Sequence, residues 1–197
     1  KRNKMKKKII LIGSGGHAAS CVDVIEESKQ YEICGFVSDN IKPGKKFFNY
    51  SILTNINNIE KIKKVLKKII LAFGSIYDCK KRSEVFNFLK KKGFKFRSII
   101  SPKSYVSKNS LIGDGTIIMH GAIINSGTKI GDNCIINSNS LVEHDCILSS
   151  NWHVSTSATL DGGVKIGMNS FIGSRSVIKE GIVLKKNTFV KMGEIVK

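Results

Sequence analysis

The residues best equipped for chemistry stand together in one short block, Glu143-His144-Asp145, an imidazole between two carboxylates. A histidine titrates near neutrality, so it can take a proton from an attacking amine or hydroxyl, and a flanking acid can orient the ring and stabilise its protonated form. A second grouping, Gly13-Ser14-Gly15-Gly16-His17-Ala18, satisfies G-x-G-x-x-A directly after the apolar run Ile9–Ile12. Glycines there permit close backbone approach to a phosphate, and a helix opening at that point turns its positive end toward the charge. Asp39 follows a second apolar run at a spacing suited to a ribose hydroxyl. A tight strand-to-helix turn would account for the glycines equally well.

What positions His144 is a period of six. Aliphatic residues recur at Val106, Ile112, Ile118, Ile124 and every sixth residue thereafter to Val196, without a slip in register. Four residues after each, the side chain is usually small, as at Ser110, Thr116, Ala122 and Thr128. Six is neither a multiple of the helical 3.6 nor the strand's alternation, so neither an amphipathic helix nor an ordinary sheet produces it. A parallel β-helix of hexapeptides does, with three hexads to a triangular coil and coils stacked at the ladder spacing of roughly 4.8 Å. Fifteen hexads from Val106 to Ile195 predict five coils. Gly113, Gly131, Asn137, Gly167 and Gly173, each just after an aliphatic, are read as corner residues.

Eighteen residues per coil place side chains without coordinates. Ser126, His144, Gly162 and Glu180 form one column, and Met119, Asn137, Ser155 and Gly173 form another. A base one ladder step from a bare backbone amide can serve acyl transfer, the amide stabilising the oxyanion. The other histidines of this half, His120 and His153, do not complete a metal site: His120 and His144 are one coil and one face apart and cannot stack, so no zinc is expected.

The first half alternates apolar runs with amphipathic stretches. Strands are predicted at Lys8–Ile12, Ile33–Val37, Lys68–Phe73 and Phe96–Ile100, and helices at Ala18–Ser28 and Tyr77–Lys92. That alternation implies a parallel sheet covered by helices. About four strands make a half-Rossmann-like α/β domain, which leaves little room for a dinucleotide such as NAD. Ser101-Pro102 marks a break, giving an α/β domain over 5–103 and a β-helix over 104–197; Lys1–Lys4, ahead of Met5, are set aside.

The 41% apolar content suits folded cores, and no apolar run approaches the roughly 20 residues of a membrane span. Five scattered cysteines with no C-x-x-C fit a reduced, cytoplasmic protein without structural zinc. The net charge of +18 is concentrated in residues 1–104, with 24 basic against 8 acidic side chains. Such a charge attracts polyanions, but the lysines lack interleaved aromatics and fall on helix faces such as Lys61–Lys68 and Lys80–Lys95. Solvated helix faces are therefore the plainer reading, and no nucleic-acid partner is expected. A non-enzymatic scaffold or nucleic-acid binder and a zinc lyase on the same prism are the less favoured readings.

Together the two halves resemble a family. G-x-G-G-H on a small nucleotide domain, then hexapeptide coils carrying Asn-x-x-Ser-x-x-Glu-His-Asp and a later Ser-x-x-x-x-Leu-x-Gly, is similar to the sugar O- and N-acetyltransferases. These include the bacterial enzymes that acetylate UDP-4-amino sugars for bacillosamine synthesis and the relatives of sialic acid O-acetyltransferases. The resemblance implies a left-handed β-helix, acetyl-CoA as co-substrate, no metal, and a homotrimer with the cofactor between neighbouring prisms. It implies His144 as general base with Asp145, or else Glu143, as supporting acid, and acetyl-CoA contacts at Asn137, His153, Ser155, Gly162 and Gly173. Acceptor contacts fall on Gly13, Ser14, Gly15, Gly16, His17, Asp39, Gly74 and Ser75. Ser38 stands where the family carries the first of two aspartates, and the usual C-terminal Gly-x-Pro-Ala is missing after Val190. The implied acceptor is a nucleotide-linked amino sugar, N-acetylated; the alternative is O-acetylation of sialic acid or a related nonulosonic acid.

Overall fold

The computed structural model describes residues 6–63, 66–74 and 79–197. The N-terminal part is built from β1 (Lys7–Ile12), α1 (Gly16–Ser28), β2 (Tyr31–Val37), β3 (Lys46–Phe47), β4 (Tyr50–Thr54), α2 (Glu60–Lys63), β5 (Lys68–Leu71), α3 (Lys80–Lys91) and β6 (Lys95–Phe96). Its sheet has the order β3-β4-β2-β1-β5-β6, parallel except for the β3–β4 hairpin. Six strands replace the expected four. The hairpin escaped notice because a two-residue strand in a lysine- and asparagine-rich stretch shows no alternation. β5 stops at Leu71, two residues early, and α1 begins at Gly16, two residues before the first apolar side chain. The predicted start of the third helix, Tyr77, lies outside the described residues.

The predicted last strand, Phe96–Ile100, is two. Lys95–Phe96 ends the sheet, whereas β7 (Ile99–Ile100) pairs with Ile117–Ile118 and is the first rung of the prism. Between them Ser98 Oγ donates to the Gly113 carbonyl at 2.8 Å, tying the connection to the coil above. The hexads thus begin one step before Val106.

From β7 onward the chain is a left-handed parallel β-helix with walls of six, six and five two-residue strands. The first wall rises through Ile99, Ile117, Ile135, His153, Phe171 and Phe189, the second from Tyr105–Val106 to Ile195–Val196, and the third from Leu111–Ile112 to Val183–Leu184. The second residue of each rung points inward, and these aliphatics fill the prism together with small residues such as Ala122, Cys134 and Ala158. Every inward aliphatic predicted from the period occupies this place. The corner residue is corrected: the left-handed backbone falls three positions after the aliphatic, at Gly115, Gly121, Gly127, Asn133, Asn139, Asp145 and onward to Gly193. Gly, Asn and Asp dominate there because they tolerate positive φ with least steric cost. Gly113 and Gly131 instead permit close stacking, since a Cβ on Gly113 would lie 2.4 Å from the Gly131 carbonyl carbon.

The lower outward side chains of the first wall are covered by the N-terminal part. Ala18, Cys21, Val22 and Ile25 of α1 share one core cluster with Ile99, Ile117 and Met119. Arg82 of α3 is buried at this junction and donates to the Leu71 and Phe73 carbonyls at 2.9 and 2.6 Å and to that of Asn133 at 3.5 Å.

Candidate functional site

The strand Leu141–Val142 of the second wall delivers Glu143, His144 and Asp145 into the corner before Ile147–Leu148. Asp145 occupies the left-handed position, φ 57°, and its amide donates to the Ser126 carbonyl one coil below at 3.0 Å. Its Oδ2 lies 3.0 Å from His144 Nδ1. That hydrogen bond raises the imidazole pKa above its ordinary value; partial desolvation opposes the rise, and the charges of Asp145, Glu143 and Glu180 add to it. Glu143 turns away, its Oε2 accepting from Asn125 Nδ2 at 2.7 Å, so the acid in contact with the ring is Asp145.

The other edge of the ring lies over Gly162, as the column arithmetic predicts. A Cβ there would stand 2.8 Å from both Cε1 and Nε2 of His144. A residue larger than glycine would displace the imidazole from this place. The coils are locked on either side, Gly163 N donating to the His144 carbonyl and Gly181 N to that of Gly162, each at 2.9 Å. The Gly162 amide itself donates to no protein acceptor among the described residues.

A second cluster gathers where the first wall turns into the second. His153 is buried, its Nε2 3.3 Å from Asn137 Nδ2 and its ring edge-on to Phe171 at 5.3 Å. His17, in the first turn of α1, is half-buried with its Nε2 sealed from solvent and without a hydrogen-bond partner among the described residues. Burial, with the nearby charges of Arg82 and His153, pushes its pKa down to about 3, so the ring is neutral. Gly74 abuts it, a Cβ there reaching within 3.9 Å of His17 Cβ. Ser155 Oγ is 2.8 Å from Ser174 Oγ on this corner, and Gly173 is fixed by stacking, a Cβ meeting the Lys191 carbonyl carbon at 2.5 Å. The structure therefore brings Asn137, His153, His17 and Gly74 together and leaves His144 with Asp145 and Gly162 on the opposite edge of the second wall.

The glycines of the N-terminal loop divide in the same way. Gly13, at φ 109°, donates from its amide to the Val37 carbonyl, and a Cβ would press Phe73 Cβ at 3.1 Å. Neither Gly15 nor Gly16 holds a positive φ, and beyond their chain neighbours and the helix's own backbone no atom of the described residues lies within 4 Å of where a Cβ would stand. Ser14 Oγ pairs with Ser38 Oγ at 2.6 Å, and Ser38 Oγ accepts from the amides of Asn40 and Ile41. Ser38, set aside as a missing aspartate, thus braces the loop. Asp39 Oδ1 accepts from the Ile56 amide at 3.0 Å, which gives the carboxylate a structural bond in addition to any ligand contact. Ser75 lies outside the described residues. Arg82 was missed: nothing in a chain with 33 basic residues marks one as buried.

Residues 8–89 match the family model of the PglD N-terminal domain, residues 109–144 that of the bacterial transferase hexapeptide, and residues 163–197 that of the hexapeptide repeat of succinyl-transferase. No curated protein matches the sequence. Among solved structures, the acetyltransferase domain of PglB from Neisseria gonorrhoeae superposes with a TM-score of 0.87 at 24% identity, over 98% of this chain and 92% of that one. The same domain in complex with acetyl coenzyme A gives 0.86 at 24%, over 98% and 93%. PerB from Caulobacter crescentus, in complex with CoA and GDP-perosamine, gives 0.87 at 24%, over 96% and 88%. Among the described residues no group of histidines, cysteines and acids could hold a metal ion, and no helix is long and apolar enough to cross a membrane. The chain therefore carries a match to the PglD N-terminal domain followed by transferase hexapeptide repeats, on the fold shared with the PglB acetyltransferase domain and PerB.

Proposed function

We propose that this protein is an acetyl-CoA-dependent N-acetyltransferase acting on a nucleotide-linked amino sugar, with His144 as general base. The observation that carries this reading is the His144 imidazole, oriented by Asp145 through Nδ1 and lying over the bare Cα of Gly162. In the reaction the acceptor amine attacks the thioester carbonyl, forming the C–N bond, while Nε2 of His144 takes the amine proton. The Gly162 amide is the candidate donor to the oxyanion. Collapse breaks the C–S bond, and the proton passes from the imidazole to the departing CoA sulfur. Asn137, His153, Ser155, Gly162 and Gly173 are the proposed acetyl-CoA contacts. Gly13, Ser14, Gly15, Gly16, Asp39, Gly74 and Ser75 are proposed for the acceptor, with His17 behind them as a neutral wall.

Both ligands are supported by the similar structures that hold acetyl coenzyme A, or CoA with GDP-perosamine. Gly15 and Gly16 add to this, because the fold itself does not need glycine there. A homotrimer is part of the proposal. The outward column of the second wall, Tyr105, Ile123, Leu141, Thr159, Val177 and Ile195, carries no charge, and Tyr105 and Ile195 are 59% and 62% exposed. His144 stands on one edge of that wall and the loop cluster on the other, so a neighbouring copy against it would bring base and acceptor loop together. The test is consumption of acetyl-CoA against nucleotide-linked amino sugars, free sialic acids and CMP-sialic acids. Turnover confined to the nucleotide amino sugars is expected; turnover of a sialic acid alone would overturn the acceptor, and none at all would overturn the enzyme.

A further inference from the structure

We propose that the sheet edge opposite the glycine loop is a docking surface for an anionic lipid bilayer, with Phe48 as the ring that enters the interface. All five parallel strands of the N-terminal sheet start at this edge, on Lys7, Tyr31, Tyr50, Lys68 and Lys95. The hairpin tip, Phe48-Asn49, immediately precedes Tyr50 and so lies at the same edge. The glycine loop follows the end of β1 and Gly74 the end of β5, which puts the ligand-facing loops at the far side of the sheet.

Phe48 is anomalous in two independent ways. It is 58% exposed, and it holds φ 53°, a left-handed conformation that a bulky side chain avoids and that glycine or asparagine would adopt with less strain. The fold gains little burial from the ring in return, for its one aromatic neighbour among the described residues is Phe47 at 5.0 Å. Around it Lys42, Lys45 and Lys46 are exposed, and no acid occurs between Asn40 and Ile59. Lys7, Lys68 and Lys95 form no ion pair among the described residues. Of the carboxylates at this edge, Glu60 is paired with Lys92 at 2.9 Å and Glu27 with Lys103 at 2.7 Å, whereas Glu32 and Glu26, which accepts from Tyr50 Oη at 2.7 Å, keep their charge against the six lysines just named. A basic rim with one projecting aromatic fits a negatively charged leaflet, where lysines stay at headgroup level and the ring enters the acyl boundary. Nucleic acid would call for several stacking rings along a groove.

The test is flotation of the full-length protein with vesicles of phosphatidylcholine alone or mixed with phosphatidylglycerol, alongside gel filtration and thermal unfolding. Binding is expected only to the mixed vesicles and should weaken about fivefold for each of Lys7, Lys68 and Lys95 changed to a neutral residue. Phe48→Gly should weaken it about tenfold, the weight of one phenyl ring leaving water, while raising the unfolding temperature and leaving acetyl transfer in solution unchanged. Vesicle binding that ignores Phe48→Gly, retention by duplex oligonucleotide with none by vesicles, or a changed oligomeric state in Phe48→Gly would each overturn the proposal.

Discussion

Asp145 acts on His144 twice at the scale of single residues, engaging Nδ1 so that Nε2 stays free and making the ring harder to deprotonate. A base works in its neutral form, so a pKa raised above the ordinary 6.5 means that kcat/KM climbs as pH rises through that higher value. Asp145→Asn removes the largest cause of the rise, and the acidic limb of the profile should move to lower pH; a limb that stays in place would assign the shift to Glu143 and Glu180. His144→Ala should lower kcat by about 10²–10⁴-fold with little change in the acetyl-CoA KM, measured by steady-state kinetics. The glycine loop offers a cleaner test than Asp39, whose loss would also free the Ile56 amide. Gly16→Ala puts a methyl into space that no atom of the described residues occupies, so the unfolding temperature should hold or rise while the acceptor KM increases. An unchanged acceptor KM would remove the loop from the acceptor site. The His144–Gly162 column was legible because eighteen residues per coil is arithmetic. Ser38 and Arg82 were not, because their partners come from distant elements: Ser14 across the sheet in one case, the β5 carbonyls and Asn133 in the other.

Among elements, the prism was legible in the sequence rung by rung from Val106 onward, since its inward aliphatics repeat at a constant interval and depend on no tertiary context. The corners were misplaced by two residues because glycines appear at two positions for two reasons, close stacking after the aliphatic and positive φ further on. That distinction has a measurable consequence at Arg175, which is exposed and holds φ 56°. Arg175→Gly should stabilise the fold by about 1 kcal/mol by relieving the left-handed strain, whereas Gly173→Ala, two residues earlier, should destabilise it, because its Cβ would meet the coil above. Thermal denaturation of the two variants checks the assignment, and the same sign for both would refute it. The N-terminal hairpin stayed hidden for the opposite reason, being specified by its pairing with β4 and β2 and not by any local period.

For the whole molecule, the uncharged second wall sets the expectation of a trimer. Ile123→Glu would place a carboxylate at the centre of the proposed interface, and light scattering should show monomers, with acetyl transfer lost although His144 is untouched; a fully active monomer would refute the shared site. The stacked architecture also bears on how the chain comes to be folded. Each rung pairs only with those eighteen residues before and after it, and the lowest, Ile99 and Ile117, are packed against α1. A chain synthesised from its N-terminus has this foundation in place before the third coil exists, and every later coil finds a finished edge to extend. The order in which the ribosome releases the residues is then also the order of assembly, with the N-terminal domain serving as the template from which the prism grows.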